Sequence, residues 1–199
     1  ANLVEVYLQN VEESSRWYPG AGIYRPVKLI LKGKDYIDTW QTYIRTTEIA
    51  DGKATIEVEC TLREGLAVEV ELRDRQGHIV DHRHSSKGQM TMTVNRPNLW
   101  TPETPYLYKA IIKLMGNGKV VDEMTQNVGI RTVKVSKEGG FQLNGVTRKI
   151  KGVCLHHDLG PLGAAVNKAA LIRQIKTMKA MGCDAIRTSH NMPSQMQMQ

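Results

Sequence analysis

Two short stretches near the end of the chain decide its fold: Lys149-Ile150-Lys151-Gly152-Val153-Cys154-Leu155-His156-His157 and Asp184-Ala185-Ile186-Arg187-Thr188-Ser189-His190. Both are apolar runs of strand length that end in polar residues. Between them, Asn167 is a good helix N-cap, and apolar side chains follow at helical spacing at Leu171, Ile175 and Met178. Gly182 is placed to end this helix. A strand, an amphipathic helix and a second strand form a βαβ unit, which implies a parallel sheet.

A single βαβ unit leaves its strands and one helix face uncovered, so this pattern predicts further strands. The tail Ser194-Gln195-Met196-Gln197-Met198-Gln199 has the composition of the first turns of another helix. We therefore assign residues 134–199 to the start of a (β/α)8 barrel that is cut short. A small, complete α+β unit is the alternative. A hairpin at residues 141–146, with a type I′ turn at Asn144-Gly145, precedes the βαβ unit.

Short alternating runs fill the middle of the chain, residues 32–133. In one of them Val68, Val70 and Leu72 share a face, and glutamates occupy the other. Turn sequences such as Asp51-Gly52 separate the runs. About seven strands of period two within roughly 100 residues predict an antiparallel, immunoglobulin-like β-sandwich.

The first 31 residues contain two strand-like runs, at residues 3–8 and 23–31. Two strands do not form a stable domain by themselves. We interpret them as the closing strands of a sheet.

The composition is that of a folded, water-soluble domain. The chain has 199 residues, of which 41% are apolar and 24% charged, and no apolar run reaches the length of a membrane-spanning helix. The net charge is +7, but the Lys and Arg residues are scattered, which favours a solvated surface over a nucleic-acid site. Cys60, Cys154 and Cys183 are far apart, and we expect buried free thiols.

The candidate site residues follow the two parallel strands. His156 ends the first strand, and Arg187, His190 and Asn191 lie at the end of the second. Functional groups of α/β barrels collect at these strand ends, and imidazole and amide groups suit sugar hydroxyls because they both donate and accept hydrogen bonds. A metal site built from the histidines and Asp158, or simple packing of the histidines, are the alternatives.

If these strand ends form a sugar site, the reaction to test is hydrolysis of a glycosidic bond, which in its retaining form requires two carboxylates about 5–5.5 Å apart. The last third of the chain offers Glu138, Asp158 and Asp184. Glu138 precedes the βαβ unit, and Asp184 begins its strand, at the wrong end of a barrel for catalysis. Asp158 alone cannot serve as both acid and nucleophile. We therefore predict that the catalytic pair is missing from this chain and that the chain is inactive alone.

Six segments together resemble glycoside hydrolase family 2, in the order that this family has them: 15–27, 99–108, 128–131, 141–145, 151–158 and 178–191. They include Trp17-Tyr18-Pro19-Gly20, Leu99-Trp100-Thr101-Pro102 and Arg187-Thr188-Ser189-His190-Asn191. The resemblance implies a mainly β chain with three parts. Residues 1–31 end a jelly-roll sugar-binding domain, residues 32–133 form the immunoglobulin-like sandwich, and residues 134–199 begin the TIM barrel.

The resemblance also implies a function. It indicates a fragment of a retaining, β-galactosidase-like hydrolase of terminal β-glycosides, whose two catalytic glutamates lie on the fourth and seventh barrel strands. His156 and His190 match positions that line the site for the terminal sugar, and Arg187 matches an arginine that steadies the nucleophile. Arg16 stands near a position where some relatives place a substrate-binding acid. β-Glucuronidases and β-mannosidases share this domain plan.

A non-catalytic carbohydrate-binding or interaction β-sandwich module is the competing prediction, and a polyanion-binding β-domain is a third. For the favoured function we predict a β-linked oligosaccharide or glycoside as partner. We predict no nucleic-acid or membrane partner, no cofactor and no metal. An oligomer is compatible with the sequence, and so are both a cytoplasmic and a periplasmic location.

Overall fold

The computed structural model describes residues 3–13, 22–156, 159–190 and 192–199. These residues fall into two compact units. One comprises residues 30–150, and the other combines residues 1–29 with residues 151–199. None of the helices in the described segments is long and apolar enough to cross a membrane.

The larger unit is a sandwich of two antiparallel sheets. A three-stranded sheet has the order β1-β2-β5, and a four-stranded sheet has the order β4-β3-β6-β7. The strands are β1 (Thr42–Ala50), β2 (Lys53–Cys60), β3 (Leu66–Arg73), β4 (Ile79–Ser85), β5 (Gln89–Asn95), β6 (Tyr108–Gly116) and β7 (Lys119–Val128). The predicted immunoglobulin-like sandwich is confirmed.

The core of the sandwich is built from the inward side of each alternating strand. Along β6 every second residue is buried, as the period of a half-buried strand requires, and on β3 Val68, Val70 and Leu72 are buried in the same way. The most deeply buried side chains include Ile56, Val58, Val68, Val70, Leu72, Met92, Tyr108, Ile112 and Ile130. Burial of these apolar groups is the main source of stability for this unit.

A small antiparallel sheet follows the sandwich, with the order β10-β9-β8: β8 (Val133–Ser136), β9 (Gly140–Leu143) and β10 (Val146–Thr147). Asn144 and Gly145 both have positive φ angles, 53° and 77°, which confirms the predicted type I′ turn. Nδ2 of Asn144 donates to the carbonyl of Trp100 at 3.1 Å, and its Oδ1 accepts from the Thr132 amide at 3.0 Å. The first bond fastens the turn to the sandwich loop between β5 and β6, and the second fastens it to the segment between β7 and β8.

The second unit contains the predicted βαβ arrangement. Strand β11 (Gly152–Leu155) pairs in parallel with β12 (Ala185–Thr188), and helix α1 (Lys168–Ala180) connects them. Asn167 caps the helix, because its Oδ1 accepts from the Ala170 amide at 3.0 Å. A four-residue helix, α2 (Gln195–Met198), follows. The structure has single-turn 3-10 helices at Thr39–Gln41 and Gly160–Leu162 as well.

Several strand predictions were wrong in detail. The described residues 3–13 and 22–31 contain no strand, although residues 3–8 and 23–31 alternate. A strand needs hydrogen bonds to a neighbour, and no strand of the described chain pairs with these segments. Conversely, β4 and β8 were not predicted, because β4 carries mostly polar side chains and β8 has only four residues.

Candidate functional site

The candidate site lies at the carboxyl ends of β11 and β12. The two strands pair in register from Gly152↔Ala185 to Leu155↔Thr188. The Ser189 amide donates to the carbonyl of Leu155 at 2.8 Å and continues the ladder beyond the last pair. Gly152 permits this close pairing, since a Cβ there would lie 2.9 Å from the Ala185 carbonyl oxygen.

The two predicted histidines follow closely on these strand ends: His156 is the first residue after β11, and His190 is the second after β12. The rings of His156 and His190 meet edge to face, with their centroids 6.1 Å apart and their planes at 71°. His190 is exposed and His156 partly buried, so both remain within reach of a ligand. The peptide bond between Ser189 and His190 is cis. Two adjacent imidazoles offer several donors and acceptors at one point, as a sugar ring with neighbouring hydroxyls requires.

Arg187 lies on β12, opposite Cys154 in the register of the parallel pair. Its Nη1 donates to the buried Ser189 Oγ at 2.7 Å and lies 3.7 Å from the Cys154 sulfur. A hydrogen bond with Ser189 and the neighbouring Arg187 guanidinium lower the pKa of the Cys154 thiol below its usual value. The arginine thus places a fixed positive charge at the end of β12, three residues before His190 in the chain.

The carboxylate Asp184 lies at the opposite end of the parallel pair. Its Oδ1 accepts a hydrogen bond from the Lys151 amide at 2.9 Å, before β11 and β12 begin. This agrees with its predicted place at the wrong end for catalysis, and its role there is to join the starts of the two strands.

Some predicted residues lie outside the described chain. Asn191 of the sugar site is one, and His157, Asp158 and the Arg16-Trp17-Tyr18 segment are others. Within the described residues there is no group of three or more His, Cys, Asp or Glu side chains that could hold a metal ion.

The sequence reasoning missed two members of this cluster. Cys154 was expected to be a buried thiol, but it is exposed, because the strand face on which it lies is open in this chain. The sequence pattern predicts Ser189 simply as a strand residue, yet its side chain is buried and hydrogen-bonded to Arg187. The signal was present: Cys154 precedes His156 by two residues, and alternate residues of a strand share a face.

Comparison with known protein families finds matches in two successive segments of the chain. Residues 34–131 match the family description "Glycosyl hydrolases family 2", and residues 133–199 match "Glycosyl hydrolases family 2, TIM barrel domain". The β11–α1–β12 unit is therefore the beginning of a TIM barrel.

Individual relatives agree. The chain is 40% identical to beta-galactosidase BoGH2A of Bacteroides ovatus over 97% of its own length and 25% of that protein. It is 33% identical to a beta-glucuronidase of Mus musculus over 85% of its length and 26% of that enzyme.

A crystal structure of a glycosyl hydrolase family 2 member from Bacteroides cellulosilyticus superposes with a TM-score of 0.84 at 34% identity. The superposition covers 96% of this chain and 28% of the crystallised chain. The chain thus spans about a quarter of the length of these relatives. With both family descriptions matched in order, and with the sandwich and barrel start that they describe present in the structure, the chain belongs to glycosyl hydrolase family 2.

Proposed function

We propose that this chain is the central segment of a retaining, β-galactosidase-like glycoside hydrolase that cleaves terminal β-glycosides. In this proposal the segment supplies part of the wall of the sugar site and neither of the two catalytic carboxylates. The proposal is carried by one observation: two histidines at the carboxyl ends of adjacent parallel strands meet with ring centroids 6.1 Å apart. This is the barrel end at which TIM-barrel enzymes place their active sites.

The proposed roles follow from the chemistry of each side chain. His156 and His190 bind hydroxyls of the terminal sugar, and Asn191 assists them. Arg187 supplies a permanent positive charge that orients the nucleophilic carboxylate and keeps it ionised. Each of these roles is a prediction.

The domain division is part of the proposal. Residues 1–31 would end a jelly-roll domain, 32–133 would form the sandwich domain, and 134–199 would begin the barrel. Residues 3–8 and 27–31 carry many exposed apolar side chains, such as Leu3, Val4, Leu29 and Leu31. Their exposure supports the proposal that residues 1–31 pack against further strands of a jelly-roll domain.

The experiment compares this chain with the longer protein that contains it. The 199-residue chain alone should not hydrolyse nitrophenyl β-galactoside, β-glucoside or β-glucuronide, because a double displacement requires an acid and a nucleophile on the same site. The longer protein should hydrolyse at least one of them and release the sugar with its anomeric configuration retained.

Matched variants then test the site. Replacing His190 by Ala in the longer protein should lower kcat/KM by about 10- to 100-fold, the effect of one hydrogen bond to a charged or polarised group. Replacing the exposed sandwich residue His82 by Ala should change it little. If the short chain hydrolysed a substrate, and if His190→Ala abolished that activity, the proposal that the catalytic carboxylates lie in other parts of the protein would be overturned. Equal kcat/KM for the two variants would remove His190 from the site.

A further inference from the structure

Arg25 makes a contact that the sequence does not suggest. Its Nη2 donates to the main-chain carbonyl of Met192 at 2.7 Å, although 167 positions separate the two residues. Met192 is two residues beyond His190. The hydrogen bond therefore attaches the segment after β12, just past the candidate sugar site, to the N-terminal part of the chain.

The same arginine lines a small cavity of about 30 Å³ that His156 also borders. The other polar side chains around it are His156, Gln174, Ser194 and Gln197. The cavity therefore connects Arg25 with one of the two site histidines, with helix α1 and with the start of α2. Its volume suits a single water molecule or a small shift of a side chain, and it is too small for a sugar.

Arg25 is a poor choice for packing alone. Its Nε is buried, and within the described residues this nitrogen has no hydrogen-bond partner. A buried donor without a partner destabilises a fold, and the guanidinium stays charged at all relevant pH values. What the side chain provides is a charge-assisted hydrogen bond to a loop carbonyl, which a neutral or shorter side chain would not reproduce.

We propose that Arg25 is a positioning residue for the candidate sugar site: it holds the carbonyl of Met192 and borders His156, and so keeps His190 beside His156. Loops move unless they are tied down, and the planar guanidinium loses little freedom when it binds. The inference rests on the proposed function only for the statement that the two histidines bind a sugar. The role of Arg25 in placing them beside each other does not depend on it.

The test uses NMR on the 199-residue chain without any sugar. Its readout is the nuclear Overhauser effect between ring protons of His156 and His190. Because this signal falls with the sixth power of distance, a displacement of about 1 Å from the present 6.1 Å centroid separation removes more than half of it. Cross-strand signals between β11 and β12 report whether the parallel pair remains folded.

Three variants are compared. Arg25→Gln removes the charge and should reduce the His156–His190 signal by more than half while the β11–β12 signals persist. Arg25→Lys keeps a cationic donor on a shorter side chain without the guanidinium, so its His156–His190 signal should lie between that of Arg25→Gln and that of the wild type. Lys28→Gln is the matched control, since it removes an exposed charge from the same segment, and it should leave the signal unchanged.

An unchanged histidine signal in Arg25→Gln would overturn the proposal. If Arg25→Gln abolishes the β11–β12 signals as well, Arg25→Lys decides. In that case, a reduced His156–His190 signal in Arg25→Lys with intact β11–β12 signals supports the positioning role of Arg25. An unchanged His156–His190 signal in Arg25→Lys, or the loss of both sets of signals, refutes it. Hydrolysis of the nitrophenyl glycosides by the longer protein is a separate measurement: a lack of turnover there would count against the proposed function and leave the role of Arg25 standing.

Discussion

The stability of the sandwich depends most directly on the residues at the centre of its core, and Ile112 is the clearest place to test this. Ile112 lies on β6, the strand that pairs with both β3 and β7, and its side chain is 0% exposed. We consider its replacement by Ala, which shortens the side chain by three carbon atoms without introducing a polar group.

The expected loss follows from burial. Three buried carbon groups contribute about 2.4 kcal/mol at about 0.8 kcal/mol each, and the cavity left behind raises the total to about 3.5 kcal/mol. For a unit of roughly 100 residues such a loss lowers Tm by about 15–25 °C. Ile79 on β4 is the matched control, because it is 53% exposed and its replacement by Ala should cost only about 1 kcal/mol.

Urea unfolding followed by circular dichroism measures both losses. The free energies of unfolding of Ile112→Ala and Ile79→Ala should differ by about 2 kcal/mol or more, with equal slopes against urea. A difference below about 1 kcal/mol would refute the reasoning, because it would mean that the core around Ile112 is not closely packed.

Two further predictions concern charged groups. Glu71 is nearly buried, and its ion pair with Lys113 at 2.8 Å lowers the pKa of its carboxyl. The unfolded chain then binds the proton more readily, so stability should decline as the pH falls from about 4.5 toward the lower native pKa. Glu71→Gln should lower stability at pH 7 and flatten this acid decline in urea titrations monitored at successive pH values. The thiol of Cys154, with its lowered pKa, should react with iodoacetamide at neutral pH much faster than Cys60, whose pKa is raised by burial. Arg187→Met should slow the reaction of Cys154, as measured by mass spectrometry; equal rates in the wild type and the variant would contradict the role of the guanidinium.

Much of the fold could be read from local sequence, because it depends on interactions between near neighbours. The N-cap at Asn167 and the turn at Asn144-Gly145 are recognisable because each needs only one or two residues of a suitable type. The sandwich was recognisable because alternation on β3 and β6 reflects burial on one face.

The errors have an equally physical origin. Residues 3–8 alternate like a strand, yet alternation expresses a side-chain preference and does not supply the neighbouring strand that the backbone needs. Strand β4 was missed because most of its side chains are polar, so it lacks the apolar alternation of the other strands. Its place in the sheet is fixed by pairing with β3, and no local sequence pattern shows such pairing. The exposure of Cys154 likewise depends on what covers a strand face, which is a property of the assembled fold.

The sequence by itself determined the kinds of elements, their order and the residue types at the ends of the two parallel strands, because periodicity, capping and turn chemistry act over a few residues. Only the tertiary structure decided that His156 and His190 meet at 6.1 Å, that Arg187 bonds to Ser189, and that Arg25 reaches Met192. The two histidines are 34 positions apart in the sequence, and Arg25 and Met192 are 167 positions apart. Contacts between such distant positions are set by the packing of strands and helices rather than by any local preference.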